Sequence, residues 1–97
     1  MNKQKKRDAL AYAAKLAEEK LTARVKSGRA RWPDSPFTQL TALAIYAISI
    51  VNGGDAITTT PGEVLKVAQF IVTADEYTPG RHLPFTKEQM KRALDEE

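Results

Sequence analysis

The sequence contains no cysteine and only one histidine, His82, among 97 residues. Without cysteine the chain cannot form a disulfide, a thiolate metal site or a cysteine nucleophile. A single histidine excludes a pair of histidine metal ligands and leaves little from which to build a nucleophile beside a base and an orienting group. The composition therefore predicts a protein that is not an enzyme and that uses no cofactor or metal.

Charge is absent from residues 37–51, the least polar stretch of the chain. From Leu40 onward apolar side chains run almost completely around the helical circumference, which is typical of a helix enclosed by other protein. The apolar part is interrupted by Thr41 and Ser49 and is shorter than the roughly 20 apolar residues of a membrane span. We expect a buried core helix and no membrane span. The basic N-terminus is not followed by the apolar region of a secretory signal, which favours a cytoplasmic location.

Glycine and proline are absent before Gly28, and elsewhere they coincide with helix start and stop signals. Ser35 and Thr60 are good N-cap residues, each followed by a proline, and Thr86 with Gln89 matches a capping box. The pattern predicts one all-α domain over residues 1–97, a compact bundle of about four helices around the buried central helix. The predicted helices are 3–27, 36–52, 61–74 and 87–95.

The first predicted helix has apolar residues on two sides. At about 100° per residue, one stripe should pack on the core helix: Leu10, Ala14, Ala17, Leu21 and Val25. A second arc lies on roughly the opposite side: Ala9, Tyr12, Leu16 and Ala23. One packed neighbour cannot cover both. The second arc is covered either by the C-terminal helix or the Trp32 loop of the same chain, or by a partner surface, which is a second copy or a larger target.

The net charge of +3 is unevenly distributed. Residues 1–32 hold ten of the fifteen Lys and Arg against three acids, a local net charge of +7, and the other 65 residues carry −4. This asymmetry favours an anionic partner at the basic end, although the acidic remainder could equally fold against the basic segment. No motif is specific enough to assign the chain to a family.

By elimination, the leading hypothesis is a small non-catalytic accessory or inhibitor protein, of a size common among phage and mobile-element proteins. It would dock on a larger protein with an acidic surface, one that itself handles nucleic acid. The predicted docking surface is the outer arc of the first helix with the basic loop that follows: Tyr12, Leu16, Lys20, Arg24, Arg29, Arg31 and Trp32.

Two other functions use the same region. The alternative is direct DNA or RNA binding through phosphate contacts, with Trp32 as a stacking aromatic. Against this alternative, the Lys and Arg residues are interleaved with acidic residues, and the sequence has no helix-turn-helix signature. The third is a self-associating structural protein, such as a homodimer. The less specific interpretations are a solvated basic face, Trp32 packed over the start of the core helix, and His82 as a loop residue bonded to backbone or solvent. The spacing of Lys15 and Glu19 predicts a surface ion pair.

Overall fold

The computed structural model describes residues 3–53 and 59–96, and its regular structure consists of four α-helices. These are α1 (Lys3–Lys26), α2 (Pro36–Val51), α3 (Pro61–Thr73) and α4 (Lys87–Glu96). The all-α prediction is confirmed. Each helix begins at the predicted residue and ends within one residue of the predicted end.

The predicted capping residues explain these starts. Ser35 and Thr60 lie in extended backbone, and each hydroxyl accepts the amide of the third residue after it at 3.2 Å. The amide of Thr86 donates to Gln89 Oε1 at 2.8 Å, and the amide of Gln89 donates back to the Thr86 hydroxyl at 3.1 Å. Amides that would otherwise lack a partner in the first turn are thereby satisfied.

Helix α2 is the centre of the bundle, because α1, α3 and α4 all pack against it. Its inner side chains, including Leu40, Leu43 and Ala44, are completely buried. The expectation that α2 is enclosed all round is wrong in part, since Ile45 is 38% exposed and Val51 is 59% exposed. Three neighbouring helices cover most of its circumference and leave these two uncharged side chains in contact with solvent.

Helix α1 packs on α2 through small side chains. Ala14 and Ala17 are fully buried and Leu21 is 3% exposed, as the inner stripe predicted, whereas Leu10 and Val25 at its ends are half-buried. Alanine at two consecutive turns allows the two helix backbones to approach closely, so the contact excludes water without large side chains.

Helix α3 contributes less buried surface than its composition suggests. Ala68, Ile71 and Val72 are buried, and the helix continues to Thr73. Leu65 is 50% exposed.

The loop between α3 and α4 is fixed by polar contacts. Gln39 on α2 is fully buried, and its side-chain amide donates to the Phe85 carbonyl at 2.8 Å while its Oε1 accepts the Phe85 amide at 3.1 Å. The Lys87 ammonium donates to the carbonyls of Ala74 and, at 2.7 Å, of Tyr77.

The radius of gyration, 12.6 Å, agrees with the value of about 12.5 Å for a folded domain of this length. Within the described ranges no helix combines the length and apolarity of a membrane span.

Candidate interaction surface

The chain reverses at the end of α1 and brings Arg29 back towards Arg24. Gly28 adopts a positive φ of 79°, a conformation that closes many helices and strains residues with a side chain. The amides of Arg29 and Ala30 then donate to the Arg24 carbonyl at 2.8 and 3.1 Å. The predicted glycine stop is confirmed, and it places a basic loop beside the last turns of a basic helix.

These residues form a shallow depression of about 340 Å³ on the surface of α1. Its lining is Lys20, Ala23, Arg24, Ser27 and Arg29. Ala23 is a small exposed residue, so the three cationic side chains surround an open space. We name this space the basic depression.

Arg24, Arg29 and Arg31 form no ion pair with any carboxylate of residues 3–53 and 59–96. Other cations of the molecule are paired, such as Arg7 with Glu76. The sequence left open whether the acidic remainder would fold against the basic segment. At these three arginines the described acids do not do so.

Lys20 is held at the edge of the depression by an aromatic contact. Its ammonium lies 5.3 Å from the centroid of the Tyr46 ring on α2. A cation over the face of a tyrosine is attracted by the ring quadrupole, so this contact restricts the position of the ammonium without neutralising it.

Tyr12 lies two turns before Lys20 and is 67% exposed, the most exposed large apolar side chain of the described residues. Leu16, one turn further along, is half-buried. The sequence left open whether the C-terminal helix or the Trp32 loop covers this arc. Helix α4 packs on α2 and α3 instead, and Tyr12 remains in solvent.

Trp32 does not lie with these exposed residues. It is half-buried, packs against the hydrophobic core, and its ring meets that of His82 edge-on with centroids 6.3 Å apart. Arg31, the preceding residue, is exposed. Of the seven residues of the predicted docking surface, Lys20, Arg24 and Arg29 line one depression, and Tyr12 lines a separate one with Asp8.

A buried carboxylate, which the sequence analysis did not identify, lies on the other side of α1. Glu18 is 1% exposed, and its Oε1 accepts the Tyr77 hydroxyl at 2.8 Å and the Gly80 amide at 3.0 Å. Its Oε2 accepts the Lys15 ammonium at 3.3 Å. The predicted pairing of Lys15 with Glu19 is therefore replaced by a pairing with Glu18, whose carboxylate is drawn inward by the loop.

The helical periodicity carried a signal for Glu18. It lies four residues after Ala14 and three before Leu21, two members of the inner stripe, so it is on the buried side of α1. The adjacent Glu19 is exposed. The two consecutive acids have the composition of a solvated surface, and only the position of Glu18 in the apolar stripe distinguishes it from Glu19.

His82 contacts side chains rather than backbone or solvent alone, which corrects our interpretation of it. Its Nε2 lies 3.0 Å from Thr22 Oγ1 and 3.6 Å from Glu18 Oε2. The Thr22 hydroxyl also donates to the Glu18 carbonyl at 2.8 Å. Both partners face the same imidazole nitrogen, so the ring cannot relay a proton between them as the histidine of a catalytic triad does.

Two pKa shifts accompany these contacts. Burial, together with the neighbouring Glu18 charge, raises the pKa of the Tyr77 phenol far above its usual range, so Tyr77 stays a hydrogen-bond donor. The hydrogen bond from Arg7 lowers the pKa of Glu76 from 4.5 to about 2. The same hydrogen bond raises the pKa of Arg7, whose guanidinium also lies 5.2 Å from the centroid of the Phe70 ring.

In the part of the chain that the structure describes, no group of three or more His, Asp or Glu side chains is arranged to hold a metal ion. Comparison with protein-family models, curated proteins and solved structures finds no match for this chain.

Proposed function

We propose that the protein is a small non-catalytic binding protein that docks on a larger protein with an acidic surface. The docking surface is the outer arc of α1 with the basic loop that follows it. We further propose an accessory or inhibitor role in the cytoplasm, of the kind that phages and mobile elements encode, acting on a protein that itself handles nucleic acid.

One observation carries the proposal: Arg24, Arg29 and Arg31 have no carboxylate partner within the described residues, while Tyr12 on the same helix is mostly in solvent. Exposed aromatic and arginine side chains are the residues that dominate protein interfaces. Cations without internal partners retain their full attraction for an acidic surface and increase the rate of association.

The mechanism is occlusion. Tyr12 and Leu16 would supply the apolar contact area, and the arginines at the end of α1 would match acidic groups that the target otherwise uses for other partners. The proposal needs no reaction at Glu18 and His82. That cluster serves to join the α3–α4 loop to α1, because each Glu18 oxygen already accepts hydrogen bonds from the protein.

Capture from a lysate tests the proposal. The variant R24E/R29E/R31E should fold as the wild type does and lose the captured partner. The matched control is K3E/K66E/R81E, which makes the same change in net charge at exposed lysines and an exposed arginine outside the surface. Equal capture by the wild type and R24E/R29E/R31E would refute the chosen surface, and so would equal loss with the control.

Direct nucleic-acid binding is tested separately by titrating labelled duplex and single-stranded DNA at several salt concentrations. Phosphate binding gives an affinity that falls steeply with salt. We expect only weak binding that is the same for R24E/R29E/R31E and the control variant. Tight, salt-dependent binding that only R24E/R29E/R31E loses would replace our proposal with the nucleic-acid alternative.

Self-association is distinguished by light scattering at micromolar concentration. We expect the mass of one chain, 10.7 kDa. A dimer that dissociates when Tyr12 is replaced by lysine would show that the outer arc of α1 binds a second copy of the chain. The protein would then be the self-associating structural protein of the third hypothesis.

A further inference from the structure

The basic depression contains a hydrogen-bond donor that its own protein does not satisfy. Arg24 Nε is hidden from solvent and has no acceptor among residues 3–53 and 59–96. A buried N–H without an acceptor is rare in folded proteins, because the group loses its water and gains nothing in return. It leaves Arg24 Nε available to an acceptor that the described residues do not supply.

Helix-end electrostatics offers a simpler explanation for the cations, since the C-terminal turn of a helix attracts positive charge. That explanation does not account for the depression. The last carbonyls of α1 already accept backbone amides: Ala23 from Ser27, Val25 from Gly28, and Arg24 from Arg29 and Ala30. Arg29 also lies beyond the helix. The cationic side chains are therefore not needed to satisfy the end of α1.

Ligand binding would require little rearrangement of these side chains, because Lys20 is already positioned and Arg24 can turn at a low cost in energy. Lys20 is positioned by the Tyr46 ring. The guanidinium of Arg24 can turn towards a ligand without losing a hydrogen bond at Nε, because none exists there in the described residues. An anion in the depression would meet one positioned ammonium, from Lys20, and two guanidinium groups, from Arg24 and Arg29. A guanidinium group can bind a planar carboxylate through two parallel N–H donors.

We propose that the basic depression is the receptor for a single carboxylate side chain, an Asp or Glu of the docked protein. This inference rests on the proposed function and names the chemistry of the partner at one point of the same surface. The bound carboxylate would accept hydrogen bonds from the guanidinium groups of Arg24 and Arg29 and be attracted by the Lys20 ammonium.

A protein carboxylate fits the surroundings better than a nucleic-acid backbone does. A phosphate chain carries repeated charges and needs a continuous positive track. Here the exposed carboxylate of Glu19 directly precedes Lys20, and the outer arc continues through Leu16 to Tyr12, which offer no charge. One isolated anion beside apolar contact area is what an acidic protein surface supplies.

The spacing defines the partner further. Leu16 and Lys20 are one turn apart, which is about 6 Å along the axis of α1. The partner should therefore present a bulky apolar side chain about one helical turn from its carboxylate. An amphipathic helix with an acid and a leucine four residues apart has this geometry.

The test uses N-acetylglutamate amide as the probe and N-acetylglutamine amide as its neutral matched control. The ¹⁵N-labelled protein is titrated with each at about 0.15 M ionic strength, where long-range attraction is screened. We expect a saturable shift of the Arg24 Nε–H resonance with the glutamate compound only. In R24Q, followed through the Arg29 Nε–H resonance, the apparent dissociation constant should rise about tenfold or more, whereas R81Q, at an exposed arginine outside the depression, should change it less than about twofold.

Three results of the glutamate titration would overturn the inference. They are the absence of a saturable shift, the same shift with the glutamine compound, and an unchanged dissociation constant in R24Q. A short oligothymidylate that shifts the same resonances at far lower concentration would overturn it as well, in favour of phosphate. If the probe fails while R24E/R29E/R31E still loses the captured partner, the carboxylate receptor is wrong and the proposed function stands. If the probe binds and capture is unaffected by that variant, the proposed function is the one that fails.

Discussion

At the scale of single residues, Glu18 is a buried carboxylate that accepts hydrogen bonds from Lys15, Tyr77 and Gly80. We expect Glu18→Gln to destabilise the protein by about 1 to 3 kcal/mol, the cost of leaving buried polar groups without suitable partners. The new amide group would place N–H donors opposite the Lys15 ammonium, which now donates to Oε2. Thermal or denaturant unfolding measures this difference.

Glu19→Gln is the matched control for that variant, since it makes the same chemical change at the exposed neighbouring position. It should alter the free energy of unfolding by no more than about 0.5 kcal/mol. Equal effects of the two substitutions would show that the Glu18 carboxylate is not a buried hydrogen-bond acceptor.

Gly80 lies so close to Glu18 that a side chain does not fit. A Cβ built there would be 2.6 Å from Glu18 Oε2 and 2.6 Å from His82 Cε1. Gly80→Ala should therefore destabilise the protein by about 1 to 3 kcal/mol through overpacking. Gly62→Ala is the control: its Cβ would meet only Thr60 Oγ1, at 4.0 Å, and alanine favours the helix. Denaturant unfolding should find G62A unchanged or more stable, and a stable G80A would contradict the close approach of the loop to α1.

The pair of Arg7 and Glu76 predicts a pH dependence of stability. The folded pKa of Glu76 is lowered from 4.5 to about 2, so its contribution is complete above the unfolded pKa and is lost as the pH falls towards about 2. The difference in melting temperature between wild type and E76Q should be constant near neutral pH and should vanish between pH 4.5 and about 2.

R7Q removes the ion pair together with the contact between Arg7 and the Phe70 ring, so its difference in melting temperature should shrink over the same pH range without vanishing. Melting curves collected from neutral pH to pH 2 check both variants. A difference between wild type and E76Q that persists at pH 2 would show that Glu76 acts through something other than its charge.

The sequence could predict which side of α1 is buried but not which polar groups are buried with it. Glu18 and Gln39 are satisfied by groups 46 to 62 positions away along the chain. Local periodicity carries no record of such partners, and average burial preferences place both residue types outside. The periodicity also showed that one packed neighbour could not cover both apolar sides of α1, but it left open whether the same chain or a partner covers Tyr12.

At the scale of elements, the entry to α4 depends on one buried side chain of α2. The two hydrogen bonds between Gln39 and the backbone of Phe85 fix the start of α4. In Gln39→Ala the amide and carbonyl of Phe85 lose these partners, so α4 should open locally more often than the rest of the molecule. Hydrogen exchange should be faster in Lys87–Glu96 while α1 changes little.

Gln69→Ala serves as the control, because Gln69 is exposed on α3. It should leave the exchange of α4 unchanged. Uniform acceleration throughout the chain in Q39A would mean that α4 is not a separate local unit, and no acceleration would mean that Gln39 does not hold it.

Helix boundaries were the most predictable part of the fold, since they depend on neighbours in sequence. A hydroxyl before a proline and a glycine with positive φ act within a few residues, and all of these signals appear in the chain itself. The solvent exposure of Leu65 on α3, and of Ile45 and Val51 on α2, was not predictable in this way. It depends on how the helices pack on one another, which local patterns do not specify.

At the scale of the whole molecule, the charge is asymmetric and remains so after folding. Residues 1–32 carry +7 and the other residues −4. Folding pairs Arg7 and Lys15 with acids but leaves the arginines at the end of α1 without described partners. The molecule therefore keeps arginines without described acidic partners on its basic side, which is the charge that the proposed acidic target would match.

The most direct test of the proposed docking surface on α1 is hydroxyl-radical footprinting of the protein, free and in complex with its captured partner. Side-chain oxidation reports exposure residue by residue. We predict strong protection of Tyr12, with weaker protection of Leu16, and unchanged oxidation of Ile45 and Leu65, which are exposed on other faces. If Tyr12 is oxidised as fast in the complex as in the free protein while Ile45 or Leu65 is protected, the partner binds elsewhere and the account is wrong.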